Sequence, residues 1–203
     1  MRIVVLIIGT LASQLALAHH AMGSQTPSTL FEGLVSGLAH PVIGLDHLAF
    51  IVGAGLLAAA YPQRRWLPLA FVAATVAGTG LHLMLFDLPY TELAVALSVL
   101  ALGGLLAAGR RPGAALVAGL FALSGLFHGY AYGEAVIGAE ATPVAAYLLG
   151  FALIQYALCL AAMTAAQRLG TAAARGAGTP WVRSAGLAVA LTGALFVLPQ
   201  LVG

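Results

Sequence analysis

The chain has 203 residues, 62% of them hydrophobic and only 7% charged, with a formal net charge of +2 at pH 7. A soluble domain carries about a quarter charged residues, so an ordinary soluble fold is excluded, and the few arginines are expected as topology markers rather than a nucleic-acid footprint. Cys159 is the single cysteine, which excludes an intrachain disulfide.

In chain order, Arg2 gives a short basic start, Ile3 to Leu17 an apolar run, and Ala16-Leu17-Ala18 a small-x-small pattern. This predicts a signal peptide over residues 1–18, with an uncleaved first helix as the alternative. Cleavage after Ala18 exposes His19 and His20 at an amino terminus outside the cytoplasm. Residues 19–41 form an extracytoplasmic N-terminal segment, in which 29–39 (TLFEGLVSGLA) is apolar but too short to span and predicts an interfacial or re-entrant half-helix. Residues 42–203 form a six-helix transmembrane domain, with spans predicted at 42–61, 66–86, 91–108, 113–131, 143–165 and 181–202. The fold class is therefore an all-α polytopic membrane protein.

The joints alternate in charge. Arg64 and Arg65, then Arg110 and Arg111, then Arg168, Arg175 and Arg183 occupy every second joint; Asp87 and Glu92, then Glu134 and Glu140, occupy the others. The positive-inside rule puts the arginine joints in the cytoplasm and both ends of the mature chain outside. The connection 166–180 reads as a flexible cytoplasmic loop. A tandem repeat and a phosphate-binding glycine loop are both lacking, hence no on-board ATPase is expected.

On this topology His19, His20, His40, His47, His82 and His128 all fall outside or in the outer half of a span. Measured from the predicted span ends, His47, His82 and His128 lie at depths of roughly 8, 6 and 5 Å, which predicts one shared layer. A single buried histidine is ordinarily a satisfied core residue, but three at matched depth beside Asp46 point to a metal site, since imidazole suits nickel, cobalt, zinc and copper. Pro41 is expected to hold His40 out of helical geometry as a cap or hinge. His40 and His47 share a face yet stand about 10 Å apart along a straight helix, so one ion takes both only if the chain bends. Asp46, turned about 100° from His47, is open to three roles: ligand, partner to a ligand histidine, or helix-start carboxylate.

The fourth span ends GLFHGYAYGE, where Gly125, Gly129 and Gly133 form a stripe for close helix contact beside His128. Tyr132 follows one turn later, Glu134 sits at the exit, and Ser124 is either a partner of His128 or a tolerated small residue. Gln155, Cys159 and Met163 repeat every four residues on the fifth span, as a soft-ligand path or a packing stripe. His19 and His20 suit a capture site made with the free amine, or simply a polar terminus.

With HPVIGLDH, His82 and FHGYAYGE in this order after a signal peptide, the chain resembles the HupE/UreJ family of bacterial nickel and cobalt uptake proteins over essentially its whole length. The resemblance implies a multi-pass protein of the bacterial inner membrane that imports Ni²⁺ or Co²⁺. It implies a ligand role for His40, Asp46, His47 and His128, with His82 as a further candidate. His19, His20 and Glu134 stand behind these. The chain departs from the family motif at Tyr132, where a second histidine is usual, and in the position of Glu134. The partners implied are the metal ion and the lipid bilayer; no organic cofactor and no nucleic acid are expected, and a homo-oligomer is compatible with the sequence. The competing function is an intramembrane zinc-dependent hydrolase, with Asp46 or Glu134 as general base. A bis-histidine haem protein is the weaker third, without a C-x-x-C-H motif.

Overall fold

The computed structural model describes residues 26–169 and 178–202. The predicted signal peptide, His19, His20 and residues 170–177 of the predicted cytoplasmic loop lie outside the described residues. Within them the regular elements are helical: α1 (Leu30–Ile43), α2 (Leu45–Ala58), α3 (Leu67–Leu83), α4 (Thr91–Ala107), α5 (Ala114–Gly133), a 3-10 turn (Glu134–Val136), α6 (Ala141–Leu169) and α7 (Pro180–Val202).

Local chemistry sets the ends. A capping box opens α1: the Thr29 hydroxyl accepts the Glu32 amide at 3.1 Å while Glu32 accepts the Thr29 amide at 3.2 Å. Proline stands in the first turn of α3, where its missing N–H is no loss. Gly109, at φ +65, closes α4 in the left-handed conformation that an L side chain rarely adopts.

Among the described residues, three helices are long and apolar enough to cross a bilayer: α5 with its 3-10 turn, α6 and α7. The pair α1 and α2, bent by 79° at their junction, passes only when taken together, as a broken span or a re-entrant loop. Helices α3 and α4 have 17 residues each, at the short end of what crosses about 30 Å of hydrocarbon.

Glycines bring several helix pairs into close backbone contact, as expected where lipid removes the hydrophobic drive between them. A Cβ on Gly125 or Gly129 would strike the backbone of Phe71 or Thr75 on α3, and one on Gly78 would strike Leu126 on α5. The stripe expected on the fourth span therefore packs on α3. Gly33 and Gly37 on α1 meet Pro143 and Tyr147 on α6 in the same way, and Gly103 on α4 meets Ala190 on α7. Helix α2 sits among these pairs, with Phe50, Ile51, Ala54, Leu57 and Ala58 all buried. Its Phe50 stacks on Phe71 with ring centroids 4.8 Å apart.

The arginine-bearing joints gather at one end. The Tyr61 hydroxyl, beside Arg64 and Arg65 in sequence, donates to the Pro112 carbonyl beside Arg110 and Arg111, and Arg183 donates to the Ala107 carbonyl at 2.9 Å.

One expectation is corrected. Pro41 does not lift His40 out of the helix: α1 continues through both residues to Ile43, and the chain bends at Gly44 instead. Pro41 removes one amide hydrogen bond and crowds the Gly37 carbonyl, a cost confined to the last turn of α1. Gly44 has φ −70 and ψ 106, open to any residue, but a Cβ there would lie 2.7 Å from the His47 ring and 3.3 Å from the Asp46 carboxylate. The glycine keeps room for those two side chains.

Candidate metal centre

The bend folds His40 back toward His47. Their ring centroids stand 6.2 Å apart, whereas seven residues of straight helix would separate them by about 10 Å. His47, in the first turn of α2, meets His128 of α5, and the two Nδ1 atoms are 2.7 Å apart. His40, Asp46, His47 and His128 are all at least 97% buried, with relative exposures of 3%, 1%, 1% and 0%. Aromatic rings wall the group: Tyr132 lies 4.5 Å from the His47 ring and 5.1 Å from that of His40, and Phe50 lies 4.7 Å from that of His128.

Neighbouring hydroxyls fix which nitrogen of each ring carries a proton. Ser98 of α4 spends its one proton on the Val95 carbonyl at 2.7 Å. With the proton so placed, the Ser98 oxygen accepts from His128 Nε2, 2.9 Å away, which corresponds to the tautomer with the Nδ1 lone pair toward His47. Tyr147 of α6 donates to the Tyr132 carbonyl at 2.9 Å and stands 3.0 Å from His40 Nδ1. That ring nitrogen therefore donates, and Nε2 of His40 is left as the electron-pair donor. Asp46 accepts the backbone N–H of His47 at 2.8 Å, which is the helix-start role, and it stabilises the N-terminus of α2 where the dipole is positive.

His82 lies elsewhere. Its Nδ1 bonds the Tyr130 carbonyl at 2.7 Å, its ring stacks on Tyr130 with centroids 4.3 Å apart, and it fills the space over Gly133. The expected shared layer is corrected here, because the α3–α5 seam pairs Thr75 with Gly129 and His82 with Gly133. His82 thus sits about one and a half turns beyond the level of His128. Glu134 is exposed on the 3-10 turn, outside the buried group. Ser98 and Tyr147 were not found by sequence reasoning; Ser124, the neighbour considered for His128, is displaced in that role by Ser98 from another helix.

Among the described residues, no three His, Cys, Asp or Glu side chains lie close enough to enclose one ion. The arrangement chemically offers a pair of convergent imidazoles, a third imidazole on the other arm of a bend, the buried Asp46 carboxylate beside His47, and neutral oxygens around them. The Cys159 thiol donates to the Ile51 carbonyl at 3.2 Å and is buried in the apolar core.

Two comparisons bear on this arrangement. A family model described as HupE / UreJ protein matches residues 6–196. The protein named HupE of Rhizobium leguminosarum bv. viciae is 36% identical over 173 residues, 82% of this chain and 85% of that protein. No solved structure matches.

Proposed function

The chain belongs to the HupE/UreJ protein family, and from that membership we propose that it carries Ni²⁺ or Co²⁺ inward across the bacterial inner membrane. In this proposal the mature chain crosses six times with both termini in the periplasm. The metal site faces the periplasmic side, with His40, Asp46, His47 and His128 as its residues and His82 nearer the entrance. The gathering of the arginine joints at the opposite end supports that orientation.

The observation that carries the proposal is the buried pair His47 and His128, with Nδ1 atoms 2.7 Å apart. Two ring nitrogens each about 2.0–2.1 Å from an ion stand about 2.9 Å apart at a right angle and about 3.4 Å apart at the tetrahedral angle. At 2.7 Å the two nitrogens of the pair share a hydrogen bond, and a bound ion would spread them by about 0.2 to 0.7 Å. His47 joins such a sphere by moving its own proton to Nε2, a change of tautomer without net charge.

The ion enters from the acidic end, where Asp87, Glu134 and Glu140 raise the local cation concentration. It exchanges water for imidazole in the buried group. Onward release is helped by the absence of charged ligands deeper along α6, because an ion held too tightly does not leave. The membrane potential provides the drive: a doubly charged ion gains about 4.6 kcal/mol per 100 mV. The test is accumulation of ⁶³Ni²⁺ and ⁵⁷Co²⁺ by cells expressing wild type or His47→Ala. Wild type is expected to accumulate at least one ion above empty-vector cells and the variant to match those cells; equal accumulation by both would remove this ring from the proposal.

A further inference from the structure

Two polar atoms beside the histidines have no task in the fold. The Tyr132 hydroxyl and one end of the Gln155 side-chain amide are fully buried and have no hydrogen-bond partner. The Tyr132 ring packs against the rings of both His40 and His47. Gln155 projects from α6 between Phe151 and Cys159, buried residues of the same face. One turn before it, Phe151 packs on the Tyr132 ring with centroids 5.4 Å apart. One turn after it, Cys159 bonds the carbonyl of Ile51, itself one turn from His47. On its third side Gln155 meets Thr75, which lies against Gly129, the neighbour of His128.

The orientation of the amide follows from Thr75. That hydroxyl has one proton and gives it to the Val72 carbonyl at 2.7 Å, so toward Gln155, 3.3 Å away, it is an acceptor. An amide with its carbonyl toward Thr75 sets acceptor against acceptor and leaves a buried NH₂ unmatched. Turned over, the NH₂ donates to Thr75 and the carbonyl oxygen occupies the unmatched position. A buried oxygen lone pair is what a cation seeks.

We infer that the Gln155 carbonyl and the Tyr132 hydroxyl are neutral oxygen ligands that complete the sphere begun by His47 and His128. The inference rests on the metal-uptake proposal above. It explains how a chain without three clustered His, Cys, Asp or Glu side chains among its described residues nonetheless holds a hydrated dication. Neutral donors also hold it loosely enough to pass on.

Calorimetric titration of the detergent-purified protein with NiCl₂ tests this, using wild type, Gln155→Leu, Gln155→Glu and Tyr132→Phe, alongside ⁶³Ni²⁺ accumulation in cells. Gln155→Leu and Tyr132→Phe are each expected to weaken nickel binding about tenfold or more. Gln155→Glu, which places an anionic oxygen where a neutral one stood, is expected to tighten binding and slow accumulation. An unchanged affinity in either the leucine or the phenylalanine variant overturns the paired arrangement and leaves the uptake proposal standing. Wild type that accumulates neither nickel nor cobalt overturns the uptake proposal itself. If Gln155→Leu aggregates on size exclusion, Gln155→Glu decides, and an affinity equal to wild type overturns the inference.

Discussion

At the scale of single residues, the candidate site depends on a serine as much as on its histidines. Ser98 accepts from His128 Nε2 only because its own proton is committed to Val95. Removing the hydroxyl frees the ring to take the opposite tautomer and turn its lone pair away from His47. Ser98→Ala is therefore expected to weaken nickel binding about 10- to 100-fold, while Ser98→Thr, which keeps the hydroxyl, retains most of it; calorimetry on the two purified variants compares them directly. The histidines were legible in the sequence because an ionisable ring is conspicuous among leucines and alanines. Ser98 and Tyr147 were not, and Gln155 only as one member of a stripe with Cys159 and Met163, because neutral polar side chains are common in spans and their partners lie 30 to 107 positions away. His82 shows the limit of the depth argument. Rise per residue measures position along one helix, but the offset between neighbouring helices is fixed by where their glycines interlock.

At the scale of elements, the seam between α3 and α5 holds His128 in place. Gly129 lies against the Thr75 backbone so closely that a methyl group has no room, and the obstacle is main chain rather than a movable side chain. Gly129→Ala is expected to destabilise the protein by about 1–3 kcal/mol, read as a lowered melting temperature in detergent. Gly80, on the same α3 but facing open space, serves as the control: Gly80→Ala should leave the melting temperature unchanged or raised. The existence and rough limits of α2 to α7 were legible from apolar runs bounded by charge. The bend was legible only as a need: the sequence indicated that His40 and His47 require one, but proline drew attention three residues early. Gly44 bends the chain by yielding space to His47 and Asp46, a reason that appears only once those side chains are placed.

At the scale of the whole molecule, charge and helix order make a sided object. Tyr61, Pro112, Ala107 and Arg183 tie the arginine-bearing joints together, and Glu134 and Asp87 stand exposed on joints at the other end. A short epitope inserted after residue 138 is expected to be detected on intact spheroplasts, and one inserted after residue 174 only after permeabilisation. The reverse pattern would invert the orientation of the bundle and place the histidine group on the cytosolic side. This sidedness was the most legible property of the sequence, since it needs only the order of charges along the chain and no knowledge of packing.

The broken span gives the bundle a pair of calipers. His40 rides on one arm and His47 on the other, and the pivot at Gly44 lies only four residues from His40, about 6 Å along the axis. With so short a lever, a change of about ten degrees in the bend would displace the His40 ring by roughly 1 Å. Helix α6 braces both arms, through Tyr147 against α1 and Cys159 against α2, so one helix sets the gap between the two tips.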